Sequence, residues 1–157
     1  MFVSCVSADD GGGCGIWLSN ASSVYVINSC SFLKCKGVTE NGCQGGGIML
    51  AWNEDFVTVT NCLTYNCEAK SQGGGIWISC PDLITTKPIT FCFFSENKSG
   101  YGRDVQLINF PSDTEVITHS FSTQPSISGS VCVGTYDFAT GVYSNIHSVN
   151  WLPHDTL

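Results

Sequence analysis

Ten cysteines, three histidines, thirteen carboxylates and only six Lys or Arg residues carry the reactive chemistry of this 157-residue chain. An even cysteine count suggests disulfides in a secreted protein, and the C-x4-C spacings Cys30/Cys35 and Cys62/Cys67 are compatible with a bridge across a tight corner. Zinc is a weaker reading. A closed zinc site needs four ligands, usually from CxxC pairs or clustered His, whereas His119, His147 and His154 all sit in the last third and no CxxC occurs. The stronger signal is a period. Cys30, Cys62 and Cys92 are spaced by 32 and 30 residues, and Cys5, Cys35, Cys67 and then Asn97 follow in the same register. Cysteines stacked in one ladder have close Cα atoms but parallel Cβ vectors, which is poor disulfide geometry. These six therefore read as small buried hydrophobes filling an inner stack. Cys14, Cys43, Cys80 and Cys132 fall outside both ladders.

The elements that position these residues follow from a second motif in the same period. Gly11-Gly12-Gly13, Gly45-Gly46-Gly47 and Gly73-Gly74-Gly75 each lead into a short apolar segment, Ile16-Trp17-Leu18, Ile48-Met49-Leu50 or Ile76-Trp77-Ile78. A degenerate copy follows at Gly102-Arg103-Asp104-Val105-Gln106-Leu107. Each period of about 30 residues holds two or three short strands separated by Gly, Asn and Ser, with no helical periodicity. Such a unit cannot bury its own apolar face. Stacking the copies, each strand pairing with its counterpart about 4.8 Å away, gives a parallel β-solenoid with ladders of equivalent residues. Ile16/Ile48/Ile76/Val105 and Leu18/Leu50/Ile78/Leu107 are expected to point inward, and Trp17/Met49/Trp77/Gln106 outward. The Trp17, Met49, Trp77 column is then either a flat apolar binding strip for sugar rings or a protein partner, or a face covered by the C-terminal segment or a long turn.

Gly46-Gly47-Ile48 and Gly74-Gly75-Ile76, with Phe94-Ser95-Glu96-Asn97 and the variants Phe2-Val3-Ser4-Cys5 and Phe32-Leu33-Lys34-Cys35, resemble the GGA(I/L/V) and FxxN repeats of the polymorphic outer membrane proteins. The resemblance covers roughly residues 1 to 108 and is closer to the cysteine-rich versions in protist surface proteins. It implies a right-handed parallel β-helix of about four to five coils, displayed at the cell surface or outside the cell. It also implies a non-enzymatic adhesin-like module that binds glycans or proteins of a host or matrix, with no cofactor.

The same architecture serves pectin lyase-like polysaccharide lyases and glycoside hydrolases, which is the alternative reading. Their chemistry needs converging carboxylates, as Ca²⁺ ligands near a base or as an acid and base pair. Here Asp9-Asp10, Glu54-Asp55 and Arg103-Asp104 are scattered at turns, and no catalytic residue is assigned. Thr58, Thr60, Thr64 and Thr90 are too irregular for an ice-binding ladder.

Charge and composition bound the remaining possibilities. A net charge of −7 with no Lys/Arg cluster in the sequence argues against nucleic acid, and 12 % charged residues with mean hydropathy +0.13 argue against disorder. No apolar run approaches the roughly 18 to 20 residues of a membrane helix. The first ten residues lack a signal-peptide pattern, and the chain is expected to open partway through a coil, as part of a longer solenoid or with an aggregation-prone N-terminal edge. The coils are expected over 1–133, the last one degenerate with Val116 to Phe121 aligned on Pro88 to Phe93, followed by an aromatic-rich capping segment over 134–157. Of two N-glycosylation sequons, Asn20-Ala21-Ser22 is the candidate acceptor, because Asn97 is expected to turn inward.

Overall fold

A computed structural model describes residues 1–7, 15–19, 24–38, 43–51, 56–79 and 88–110, together with the strands at 116–120, 131–137, 142–147 and 152–153. The candidate acceptor Asn20 and the unplaced Cys14 and Cys80 lie outside the described residues, as does the side chain of Cys132. In chain order the strands are β1 (Phe2–Val3), β2 (Val6–Ser7), β3 (Ile16–Ser19), β4 (Val24–Asn28), β5 (Ser31–Leu33), β6 (Lys36–Gly37), β7 (Ile48–Ala51) and β8 (Phe56–Thr60). They continue as β9 (Leu63–Tyr65), β10 (Ile76–Ser79), β11 (Ile89–Ser95), β12 (Val105–Ile108), β13 (Val116–Ser120), β14 (Val131–Asp137), β15 (Val142–His147) and β16 (Leu152–Pro153). The described residues are all β, with no helix. None of them forms a helix long and apolar enough to cross a membrane.

Strands pair with strands about one sequence period away. One sheet runs β3, β7, β10, β12, β14, β15; another runs β1, β5, β9, β11, β13, β16, with β4 and β8 joined to it; β2 and β6 form a third. Every pairing is parallel except the β14–β15 hairpin. The registers stack like on like: Ile16 on Ile48, Ile48 on Ile76, Ile76 on Val105. These residues and the Leu18, Leu50, Ile78, Leu107 ladder enclose the main core with Phe32, Val57, Val59, Ile89 and Phe94. Phe2 extends it by stacking its ring on Phe32, 4.9 Å between centroids.

The register of β13 differs from the sequence alignment by one residue, since Val116 pairs with Ile89 rather than Pro88. The same offset holds on both sides of an irregularity in β11, at Ile89–Val116 and Thr90–Ile117 before it and at Phe93–Ser120 after it, with Cys92 opposite Thr118 between them.

Of the two readings of the outward column, exposed strip or covered face, Met49 and Trp77 take the second and Trp17 the first. Trp17 is 54 % exposed, but Trp77 is 4 % and Met49 6 % exposed, and they form a second apolar cluster with Ala51 and Ile108. Alternation along a strand assigns side chains to opposite faces, but strands of a parallel sheet are commonly buried on both. β7, β10 and β12 are of that kind, buried at every position.

Candidate functional site

The cysteine ladders sit at corners of the backbone. The residue before each ladder position has a left-handed φ: Ser4, Lys34, Asn66 and Glu96 before Cys5, Cys35, Cys67 and Asn97, and Ser29, Asn61 and Phe91 before Cys30, Cys62 and Cys92. The bend leaves carbonyls facing inward beside the next side chain, and a thiol is a small hydrophobe with a weak donor that can meet them. Cys35, Cys62, Cys67 and Cys92 each donate Sγ–H toward the carbonyl two residues back, at 3.8, 3.2, 3.6 and 3.5 Å, and toward one on the preceding period. All seven described cysteines are free thiols, including both C-x4-C pairs.

Neighbouring thiols also influence one another along each ladder. The adjacent Cys35 thiol and burial push Cys67 well above the ordinary thiol range, and Cys62 and burial do the same to Cys92. Cys35 and Cys62 are in turn held below it by the neighbouring thiols Cys67 and Cys92. Access decides reactivity before acidity does, because the thiolate must be reached. Cys5 and Cys30, on the first period, are only partly buried, whereas Cys35, Cys62, Cys67 and Cys92 are fully buried. In native protein pulsed with iodoacetamide and mapped by peptide mass, Cys5 and Cys30 are expected to alkylate before the other described thiols. The four buried ladder thiols should label only with denaturant, and their rapid native labelling would contradict the corner geometry.

Of the expected binding strip, Met49 and Trp77 are core, and Trp17 alone presents its ring to solvent. The Trp77 Nε1–H donates to Gln72 Oε1 at 3.1 Å within that core. Trp77→Phe keeps most of the buried area and removes the donor, leaving a buried amide oxygen without this bond. It should lower unfolding free energy by about 1–3 kcal/mol in urea denaturation; an unchanged midpoint would mean that Gln72 is satisfied elsewhere.

The fourth ladder residue, Asn97, is fully buried and holds a polar node. Its Oδ1 accepts from the Cys67 N–H at 3.0 Å, and its Nδ2 donates to Thr64 Oγ1 at 2.8 Å and to Asp104 Oδ1 at 2.9 Å. Arg103 Nε lies 3.7 Å from the other Asp104 oxygen. The node is sealed from solvent and offers no surface to a ligand.

The open site lies on the outward side of the same corner. Lys36, Glu68 and Lys98 each directly follow a ladder residue, Cys35, Cys67 and Asn97, and the bridges Lys36↔Glu68 and Glu68↔Lys98 stack them in one column. Lys36 Nζ lies 3.2 Å from Glu68 Oε2, with both side chains about two-fifths exposed. Lys70 adds a further ammonium two residues on from Glu68. Lys36, Gly37, Val38, Glu68 and Lys70 line a concavity of about 330 Å³. Three of the six basic residues of the chain, Lys36, Lys70 and Lys98, belong to this corner. Sequence reading missed the site because the lysines are far apart in the chain, although numbering from the ladder positions would have aligned Lys36, Glu68 and Lys98. One carboxylate, Glu68, lines the concavity. Among the described residues no group of three or more His, Cys, Asp or Glu side chains is placed to hold a metal ion.

Comparison with protein-family models, curated proteins and solved structures finds no match to this chain.

Proposed function

We propose that the chain is a right-handed parallel β-helix module, akin to the repeats of polymorphic outer membrane proteins and of similar protist surface proteins. In this reading it acts at the cell surface or outside the cell as a non-enzymatic adhesin-like binder of glycans or proteins. The observation that carries the reading is the lysine-lined concavity, set on a column of residues whose backbones are fixed by period-to-period hydrogen bonds: Lys36 N to Cys5 O at 2.8 Å, Glu68 N to Cys35 O at 2.8 Å and Lys98 N to Cys67 O at 2.9 Å. A stacked scaffold of this kind holds exposed side chains at fixed intervals on an extended face, which suits recognition of a repetitive or elongated ligand.

The test is a binding screen of the full chain against neutral and acidic glycans and a panel of extracellular-matrix proteins, with surface biotinylation of the native cells for location. Selective binding and surface labelling support the reading. Turnover of a polysaccharide, or no binding to any class, overturns it.

A further inference from the structure

We propose that the concavity lined by Lys36, Gly37, Val38, Glu68 and Lys70, with Lys98 beside Glu68 on the next period, binds one anionic sugar unit, a uronate or an O-sulfated residue. The inference rests on the glycan-binding reading above and names the ligand class.

Charge comes first. Lys36 and Lys70 line the concavity with one carboxylate, Glu68, and Lys98 follows Glu68 in the column, which makes this corner locally cationic on a chain of net charge −7. Glu68 pairs with Lys36, while Lys70 and Lys98 have no anionic partner among the described residues. At physiological ionic strength the screening length is about 8 Å, so acids elsewhere on the chain are largely invisible to a ligand seated here.

Size and shape narrow the class. A concavity of about 330 Å³ lies at the small end of ligand pockets and fits a sugar residue or two. Its wall includes Val38, which is 53 % exposed and offers an apolar patch to the C–H face of a ring, and Gly37, which adds no side chain to fill the space. Lysine ammoniums act as point donors and accept a carboxylate or a sulfate equally. The column is held in place before any ligand arrives, since Gly37 N bonds Glu68 O at 2.8 Å and Ala69 N bonds Lys98 O at 3.0 Å. Binding therefore orders side chains but not backbone.

Glu68 makes the site separable from a merely structural charge ladder. It neutralises Lys36 and repels an incoming anion. Glu68→Gln should therefore raise affinity for an acidic sugar several-fold, whereas Lys70→Ala should lower it up to about fivefold, the range of one exposed charge pair. Both positions are partly or fully exposed, so neither variant should move the melting temperature by more than a few degrees.

The experiment titrates the full chain and both variants with a hexuronate oligosaccharide, an O-sulfated oligosaccharide, the carboxyl-reduced and desulfated counterparts, and an oligoglutamate peptide. Binding of either acidic sugar over its neutral counterpart, with opposite effects of the two substitutions, supports the proposal, and the preferred probe identifies the anion. Equal binding of neutral and acidic sugars, or variants without effect, overturns the inference and leaves the glycan-binding reading standing. Binding of oligoglutamate alone overturns it in favour of a protein ligand, and binding of no glycan overturns the inference and the glycan reading together.

Discussion

Gly74→Ala is expected to cost about 3 kcal/mol of folding free energy or more, a large share of the roughly 5–15 kcal/mol that holds an ordinary domain folded. A methyl group built at Gly74 falls 2.5 Å from the Lys98 carbonyl oxygen and 2.8 Å from its carbon, and closer still to the carbonyl oxygen of Arg103. Both obstacles are backbone of the next period, so no side-chain rotation relieves them. The ladder itself must part, and the Gly73–Tyr101 and Gly75–Asp104 hydrogen bonds on either side, at 3.0 and 3.1 Å, would lengthen with it. Backbone freedom is not the issue at this position. The left-handed φ belongs to the first glycine of the motif, at Gly45, Gly73 and Gly102, with values of 66°, 64° and 53°. The control is Gly100→Ala, whose nearest neighbour would be the Ser71 carbonyl oxygen at 3.1 Å, and which should lose no more than about 1 kcal/mol. Urea denaturation measures both. A Gly74→Ala loss under about 1 kcal/mol would mean that the periods do not approach as closely as the structure has them.

That glycine also marks how far the sequence could be read. A motif needing Gly at three successive positions reports a backbone that something approaches closely, and its recurrence supplied the register that pairs Ile16, Ile48, Ile76 and Val105. Alternation then divided each strand into two faces without telling whether the second face is covered, which is why the column was open between strip and covered face until the structure put Met49 and Trp77 in the core. The corners were less legible. Gly, Asn and Asp are the residues that usually adopt a left-handed φ, yet Lys34, Glu96 and Phe91 hold it here at 56°, 55° and 54° because the ladder above and below imposes the bend. The cationic concavity was hidden for the opposite reason. Its lysines carry no local signal at all, and only the stacking of three periods places Lys36, Glu68 and Lys98 in one column.

Asn97→Cys, which restores the ladder residue of the three earlier periods, is expected to destabilise by about 3 kcal/mol or more, and Asp104→Gly in the same chain should recover most of the loss. In the periods before, a buried Cys67 accompanies Gly75, and in the last one Asn97 accompanies Asp104, which takes the place of that glycine one residue before Val105. The two departures from the repeat belong together. Asp104 is buried and receives the Asn97 amide at 2.9 Å, and the same amide serves Thr64 Oγ1 at 2.8 Å while its oxygen takes the Cys67 N–H at 3.0 Å. A thiol has one weak donor and cannot replace these bonds, so the single variant withdraws the amide from a buried carboxylate and from two further groups. Asp104→Gly alone removes the charge but leaves the Asn97 amide short of an acceptor, and should cost about 1–2 kcal/mol. The double variant rebuilds the Cys and Gly combination that the neighbouring period already packs. A double-mutant cycle in urea should therefore give a favourable coupling of about 3 kcal/mol, the upper end of the range for residues in contact. Additivity within about 0.5 kcal/mol would mean that Asn97 and Asp104 do not support each other, and that the repeat changed at the two positions for unrelated reasons.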